Sequence, residues 1–417
     1  MKRVVIIGAG FGGVSMAKYL RNKSIEVLVL DHNNYHNFQP LMYQIASGAL
    51  EPHSIAYPIR RIFRKYKNLK FRMAHVDRID HQHKKLETNI GVFTYDELII
   101  ATGSETNYFG FEPLKNKILT LKSIPDALNI RSYIFQNLEK TLRNNLKNES
   151  LEEIMSIAVV GGGPAGIEMA GALAEMKKYV IPKDFPEIDI SMMHINLYQS
   201  SGKLLKTMSE ESSKKSLEFL RQLGVNVLLN SRVVDYQDDH LFLKDGSSFK
   251  TDTVIWTAGV KGVTIEGLPK EVMGGGNTIL VDPYNQVKGL KNMYAIGDVA
   301  SCITDSNPRG LPGLAPVAQQ QGKHLAKNIL NVIQEKPLEK FVYKDKGSMA
   351  TIGRKLAVVD LPKFSFQGSF AWFVWMFVHI MSLVGFRNKL VVLLDWLASY
   401  MTYDKPLGII IRRYKRG

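Results

Sequence analysis

The sequence holds a single cysteine, Cys302, in 417 residues. One thiol excludes an internal disulfide framework, and it excludes a dithiol that would accept electrons within the chain. Nor does a cysteine follow Asp31, where single-thiol peroxide chemistry would need one. Long hydrophobic runs are missing too. The most apolar stretch, residues 368–386 (GSFAWFVWMFVHIMSLVGF), has 14 apolar residues against the ~20 of a perpendicular membrane span. Without a series of spanning helices, the chain cannot couple chemistry to ion transport by itself. Acids are scarce: 39 Asp and Glu face 54 Lys and Arg, a net charge of +15. That balance suits nucleic acid, anionic lipid or an anionic cofactor. A nucleic-acid binder would gather its charge into a long basic stripe with stacking aromatics. Here the charge is dispersed, with its clearest cluster at an apolar C-terminus, so no nucleic-acid partner is expected. The chain enters an apolar strand at Val4, which leaves no leader peptide to expect. No metal site is expected either.

What is present centres on residues 157–175, IAVVGGGPAGIEMAGALAE. Residues 157–160 are β-branched and apolar, as in a buried parallel strand. Gly161, Gly163 and Gly166 then form G-x-G-x-x-G, and a helical pattern follows. The first glycine permits the turn, the second lets backbone approach a pyrophosphate, and the third lets helix and strand pack closely. The spacing alone is weak, because any strand–turn–helix junction can carry it. A copy strengthens it. Residues 4–7 are apolar, and Gly8, Gly10 and Gly13 repeat the pattern in GAGFGG. Residues 95–103 (YDELIIATG) and 251–259 (TDTVIWTAG) echo one another as well. Gly8 and Gly103 lie 95 positions apart, Gly161 and Gly259 98. One nucleotide-binding unit therefore appears twice.

Between these marks, residues 26–30 form a second strand with Asp31 at its end, where an acid would hold a ribose diol. Its counterpart after residues 195–198 is Gln199. Residues 33–50 read as an aromatic-rich loop, either ordinary packing or a lid over a cofactor ring. The basic run from Arg60 to Lys70 reads as a helix-like solvated face. Residues 105–150 read as a linker and a long polar helix, and 177–191 as an excursion with two prolines. Residues 293–296 lead into the turn Gly297–Asp298, and 311–330 into an amphipathic helix bearing Gln319, Gln320 and Gln321. Glu168 falls in what reads as the first turn of its helix, where the dipole stabilises an acid by about 0.3–1 kcal/mol. The last 80 residues change character: 368–386 and 390–403 read as a helical hairpin, with Asn388, Asp395, Ser399 and Thr402 on one stripe, and Arg412, Arg413, Lys415 and Arg416 close the chain. The hairpin suits packing on the core, a homodimer, or a membrane interface with anionic lipid.

Two nucleotide sites on one chain suggest a bound flavin and a passing nicotinamide, which together do hydride chemistry. With no thiol relay, the acceptor must reach the flavin itself, and the tail points to a lipid-soluble one. The motifs GAGFGG, HNFQPLMYQIASG, YDELIIATG, VVGGGPAGIEMAGALAE, YAIGDVA, APVAQQQG, DKGSMATIGR and the tail together resemble the type II NADH dehydrogenases over nearly the whole chain. These are single-subunit, FAD-containing, non-pumping NADH:quinone oxidoreductases.

The resemblance implies an α/β fold of two Rossmann-like dinucleotide-binding domains, the FAD domain discontinuous and the NAD(P)H domain inserted, with a C-terminal helical membrane-anchoring region. The implied division is 1–110 and 286–335 for FAD, 111–285 for NAD(P)H, and 336–417 for membrane and quinone. Gly8, Gly10, Phe11, Gly12, Gly13, Asp31, Val76, Ala101, Thr102, Gly103, Asp298 and Val317 would hold FAD, with Pro40 and Leu41 near its ring. NADH, with NADPH as a second donor, would lie on Gly161, Gly163, Gly166, Gln199, Ala258 and Gly259. Gln320 and Lys346 match the positions where quinone docks beside the flavin, and Glu168 matches an acid near both rings. Some relatives have Gln where this chain has Pro316. The implied partners are a membrane quinone and an anionic lipid surface, on the cytoplasmic face of a bacterial inner membrane as a peripheral (monotopic) protein. A soluble diaphorase or ferredoxin-reductase-like enzyme, or a flavoprotein with a redox-switched binding role, is the alternative.

Overall fold

The structure is a computed structural model describing residues 1–143, 148–303, 307, 310–402, 408–410 and 413–415, with backbone alone at 148–149 and 399–402. Tyr403, Arg412 and Arg416, and the side chains of Ser399 and Thr402, lie outside the described residues. The chain forms two compact units.

The first unit comprises Met1–Asn37, Ala56–Glu105 and Val260–Asp345. Its centre is a parallel sheet in the order Met293–Ala295, Glu97–Ile100, Arg3–Ile7, Glu26–Asp31, Leu69–Met73. Val5, Leu28, Leu98, Ile100 and Ala295 are buried in its core, as β-branched and leucine runs covered on both faces should be. Helix Phe11–Tyr19 leaves the central strand and packs on helix Ala315–Ile333. Glycine sets that approach: a Cβ on Gly322 would stand 2.4 Å from the Gly12 carbonyl oxygen. A three-stranded antiparallel meander, Val76–Asp80, Lys85–Thr88 and Gly91–Thr94, completes one flank.

The second unit comprises Phe38–Ile55, Thr106–Gly259 and Lys346–Gly417. Its parallel sheet runs Leu119–Thr120, Thr253–Trp256, Ser156–Val160, His194–Tyr198, Asn226–Leu228. A capping box, Ser123 with Asp126, starts helix Ile124–Thr141. The C-terminal part is an antiparallel sheet of Ser348–Ile352, Leu356–Asp360 and Ser365–Gly368, then helices Ser369–Ser382 and Phe386–Thr402. The Asp360 carboxylate caps helix Glu210–Gln222 by accepting from Ser209 N and from the Ser212 hydroxyl, the latter at 2.7 Å.

The expected architecture is present, with three local corrections. The basic run from Arg60 is helical only over Ile59–Phe63 and then becomes strand Leu69–Met73. Alternation of Leu69 and Phe71 with Lys70 and Arg72 has period two, and pairing with Glu26–Asp31 overrides the helical reading. Residues 33–50 are not a loop. They hold strand Tyr35–Asn37, a tight turn at Gln39–Leu41 and helix Met42–Ala46, all five residues of which are buried. The C-terminal region, read as helical, opens with the three-stranded sheet Ser348–Ile352, Leu356–Asp360 and Ser365–Gly368 before its helices, while the long polar helix is present as Ile124–Thr141.

Candidate functional site

In the first unit, the end of strand Arg3–Ile7 makes a glycine cradle. Gly8 has φ +104, and a Cβ there would lie 2.2 Å from the Ala101 carbonyl oxygen. A Cβ on Gly13 would lie 1.9 Å from the Gly8 carbonyl oxygen, so helix and strand meet backbone to backbone. Gly10 is different: a Cβ there would meet no atom of the described residues within 4 Å. The space beside it is open where the N-terminus of helix Phe11–Tyr19 presents its amides, which suits a pyrophosphate. The Asp31 carboxylate braces the turn, accepting from Ala9 N at 2.6 Å through one oxygen and from Asn33 N at 2.7 Å through the other. Each oxygen keeps a lone pair for a ribose hydroxyl. Asp298 accepts from the Ser104 hydroxyl at 2.6 Å.

The second cradle repeats the first. Gly161 has φ +115, and its Cβ would lie 2.8 Å from Cα of Ala258. A Cβ on Gly166 would lie 1.8 Å from the Gly161 carbonyl oxygen, while one on Gly163 would meet nothing within 4 Å. Gln199 takes the place of Asp31. Its Oε1 accepts from Gly162 N at 3.0 Å, and its Nε2 donates to the Ser201 hydroxyl at 2.6 Å and the Lys203 carbonyl at 3.1 Å. The residues of both cradles therefore fit dinucleotides, FAD and NADH among them.

Other candidate residues are placed as follows. Val76 is buried in the core of the first unit, and Val317 is buried in the opening turn of helix Ala315–Ile333. The Gln320 amide is clamped to the backbone of Lys344, donating to its carbonyl at 2.9 Å and accepting from its N–H at 3.1 Å. Its neighbour Gln321, buried, accepts from Gly297 N at 2.8 Å and donates to Asn285 Oδ1 at 3.0 Å. Gln321 thus holds the turn that carries Asp298, a role the sequence reading missed. Pro40, Leu41 and an exposed Lys346 belong to the second unit. His36 was missed as well: its buried ring bonds the Ala9 carbonyl at 2.9 Å, and burial holds its imidazole below the usual pKa.

Glu168 is the fifth residue of helix Pro164–Glu175, whose first turn has no acid. The dipole account therefore fails, since that field fades beyond the first turn. Glu168 is buried, and Thr351 N donates to its Oε1 at a long 3.5 Å. Burial outweighs that weak bond and lifts the carboxyl to about 8, so it keeps its proton at neutral pH. One helical face carries Glu168, Gly171 and Glu175 onto the C-terminal sheet. A Cβ on Gly171 would lie 2.8 Å from Gly353 N, and Arg354 N donates to Glu175.

Beside this face lies a small cleft of about 50 Å³, open in part to solvent and lined by Tyr43, Gln44, Glu175, Trp372, Trp375 and Trp396 among others. Trp396 Nε1 donates to Gln44 Oε1 at 2.7 Å, and Gln44 Nε2 donates to the Tyr43 hydroxyl at 2.8 Å. Because Tyr43 accepts from Gln44, its own proton is the outgoing end of that chain. Burial, followed by the charge of Glu168, holds the Tyr43 phenol well above its usual pKa.

Both terminal helices show an apolar stripe to solvent. Phe370, Phe373, Phe377 and Met381 lie along one face of helix Ser369–Ser382, and Phe386, Leu390, Leu394 and Leu397 along helix Phe386–Thr402. Phe386 is 82% exposed and Phe370 69%. Their opposite faces bury Trp372, Trp375, Val392 and Trp396. Among the described residues, no helix is long and apolar enough to cross a membrane, and no group of three or more His, Cys, Asp or Glu is placed to hold a metal ion.

Two nucleotide cradles on parallel sheets define a class, and the family comparison agrees: residues 2–322 match the pyridine nucleotide-disulphide oxidoreductase model and residues 346–403 the NDH2 C-terminal domain. The chain is 31% identical to the type II NADH:quinone oxidoreductase Ndh of Mycobacterium tuberculosis, over 96% of this chain and 88% of that one. It is 30% identical to the Haemophilus influenzae type II NADH:quinone oxidoreductase, over 96% and 98%. In fold it matches NDH2 from Plasmodium falciparum, solved in complex with NADH, with a TM-score of 0.91 at 22% identity, over 97% of this chain and 99% of that chain. The chain belongs to the type II NADH:quinone oxidoreductases. The disulphide chemistry in the wider family's name is closed to it, because Cys302 is its one thiol and is buried.

Proposed function

We propose that this chain is an FAD-dependent NADH:quinone oxidoreductase that does not pump protons. The single observation that carries the reading is the repeated cradle, with open space at Gly10 and Gly163 and a strand-end acceptor bracing each turn. Held at the first cradle, FAD would supply the chemistry that carries the hydride of a nicotinamide on to a quinone. The chain's residues do the rest. We assign FAD to 1–110 and 286–335, NADH to 111–285, and quinone and membrane to 336–417. Asp31 and Asp298 orient FAD, and Gln321 supports Asp298 by fixing its turn. Gln199 meets the adenosine ribose of NADH, and its neutral amide leaves NADPH a weaker second donor. Gln320 and Lys346 contact the quinone. Glu168 supplies or holds a proton for its reduction, since a carboxyl lifted to about 8 is protonated at neutral pH.

The apolar stripes supply the membrane contact. Eight large side chains on two helix faces match an interfacial helix pair with rings in the acyl boundary. Basic residues of the tail then meet anionic headgroups, on the cytoplasmic face of a bacterial inner membrane, and a homodimer is compatible with this arrangement. Purified protein given NADH and a short-chain quinone should consume the two in equal amounts. NADH loss without quinol, or quinol without NADH loss, would overturn the assignment.

A further inference from the structure

In the second unit, the winding of the parallel sheet reverses between Thr253–Trp256 and Ser156–Val160. Ligands of such sheets lie across the carboxyl ends of the strands at that reversal. Strand His194–Tyr198, on one side, ends at Gln199, where the adenosine ribose belongs. The pyrophosphate belongs at Gly163. The nicotinamide half is then left to the other side, over Ala258 and Gly259.

Phe109 stands at that place. Its ring atom Cζ lies 2.7 Å from the position of a Cβ on Gly259, so the ring fills the space the glycine leaves. The residue is 52% exposed, and its φ of 53° is costly for a bulky side chain. Its segment is clipped to the same loop. Asn107 N donates to the Gly259 carbonyl at 3.0 Å, and Trp256 Nε1 donates to the Asn107 carbonyl at 2.9 Å. Asn107 Oδ1 in turn accepts from Phe109 N at 2.8 Å. Ordinary core packing does not explain a half-exposed aromatic held in a strained turn. Among the described residues the first cradle has no such cover, since a Cβ on Gly103 would meet nothing within 4 Å.

We propose that Phe109 is a displaceable cover over the nicotinamide half of the NADH site, resting on Gly259 until a nicotinamide ring displaces it. The inference rests on the reading that NADH binds this unit. A cover that must leave lowers apparent affinity by the fraction of time the site is open. It acts only on ligands that carry a nicotinamide.

Calorimetry on the holoenzyme with NAD⁺ and with ADP separates the cases. NAD⁺ is used so that the flavin does not react. Phe109→Ala should bind NAD⁺ about threefold tighter or more, with ADP affinity unchanged and Phe109→Tyr close to the parent. Unchanged or weaker NAD⁺ binding in Phe109→Ala, with ADP still competing with NAD⁺, would overturn the cover. If ADP fails to compete with NAD⁺ in the parent protein, the placement of NADH in this unit falls first, and the cover with it.

Discussion

The first cradle is braced by a carboxylate, Asp31, and the second by an amide, Gln199. The bond each makes is equivalent: it accepts the N–H of the residue between the first two glycines. Around that shared bond the two differ. Asp31 offers charge to a ribose diol and has an open glycine, Gly103, at the far edge. Gln199 offers a neutral oxygen and spends its amide hydrogens on Ser201 and Lys203, and the glycine at that cradle's far edge, Gly259, has the Phe109 ring against it. Seven residues after the first glycine, the first unit has Ser15 and the second has the buried acid Glu168. Under the proposed assignment, the same fold element is tuned in one place to keep a nucleotide and in the other to exchange one.

Closing either cradle should have the largest effect. Gly13→Ala puts a methyl against the Gly8 carbonyl, and Gly166→Ala does the same against Gly161. Gly13→Ala should yield protein without flavin colour. Gly166→Ala should keep the flavin and lose NADH affinity by about a hundredfold or more, read by calorimetry. Loss of flavin from both variants, or from neither, would mean the cradles do not divide the nucleotides as described.

Glu168 comes next. Glu168→Gln should retain FAD while kcat with quinone falls at least about tenfold, or 1.4 kcal/mol. In the parent the carboxyl is protonated below about 8 and ionised above it, so quinone turnover should decline as pH rises through that value. The variant should lack that decline. A pH profile of the same shape in both proteins would reduce Glu168 to a packing residue.

Gln199→Glu makes the second cradle resemble the first. NADPH efficiency should fall at least about tenfold, because a carboxylate repels the 2′-phosphate, while NADH efficiency changes little. Lys203, near the same edge, is engaged with Glu210 at 3.4 Å and offers a phosphate only modest compensation. Equal losses for both donors would show that Gln199 does not face the ribose.

The smallest effect on chemistry, though not on location, should come from the tail. Phe377→Glu with Leu394→Glu should release the protein from membranes while leaving reduction of a soluble acceptor within about twofold. Continued sedimentation with membranes would move the anchor elsewhere.

Much of this is legible in the sequence, and what is not has identifiable physical causes. Glycine spacing and strand-end acceptors are local signals, so both cradles stood out. Which way a helical side chain turns is not local. Gln320 and Gln321 are adjacent letters, yet one clamps Lys344 and the other holds the Gly297 turn. Glu168 read as a dipole-stabilised end residue because the start of its helix was placed too late in the chain. The sheet spanning Ser348–Gly368 escaped notice because its strands are short and joined by the turn at Gly353 and Arg354. Phe109 had no sequence signal at all, since its meaning lies in a contact with Gly259 about 150 residues away.

The central claim is that one cradle keeps a flavin while the other passes NADH to it. The most direct measurement mixes the purified protein anaerobically with one equivalent of NADH, follows the visible flavin absorbance, and then adds a short-chain quinone. The account predicts that the absorbance bleaches on the first addition and returns on the second. Absorbance that NADH leaves intact, or that quinone fails to restore, would contradict it.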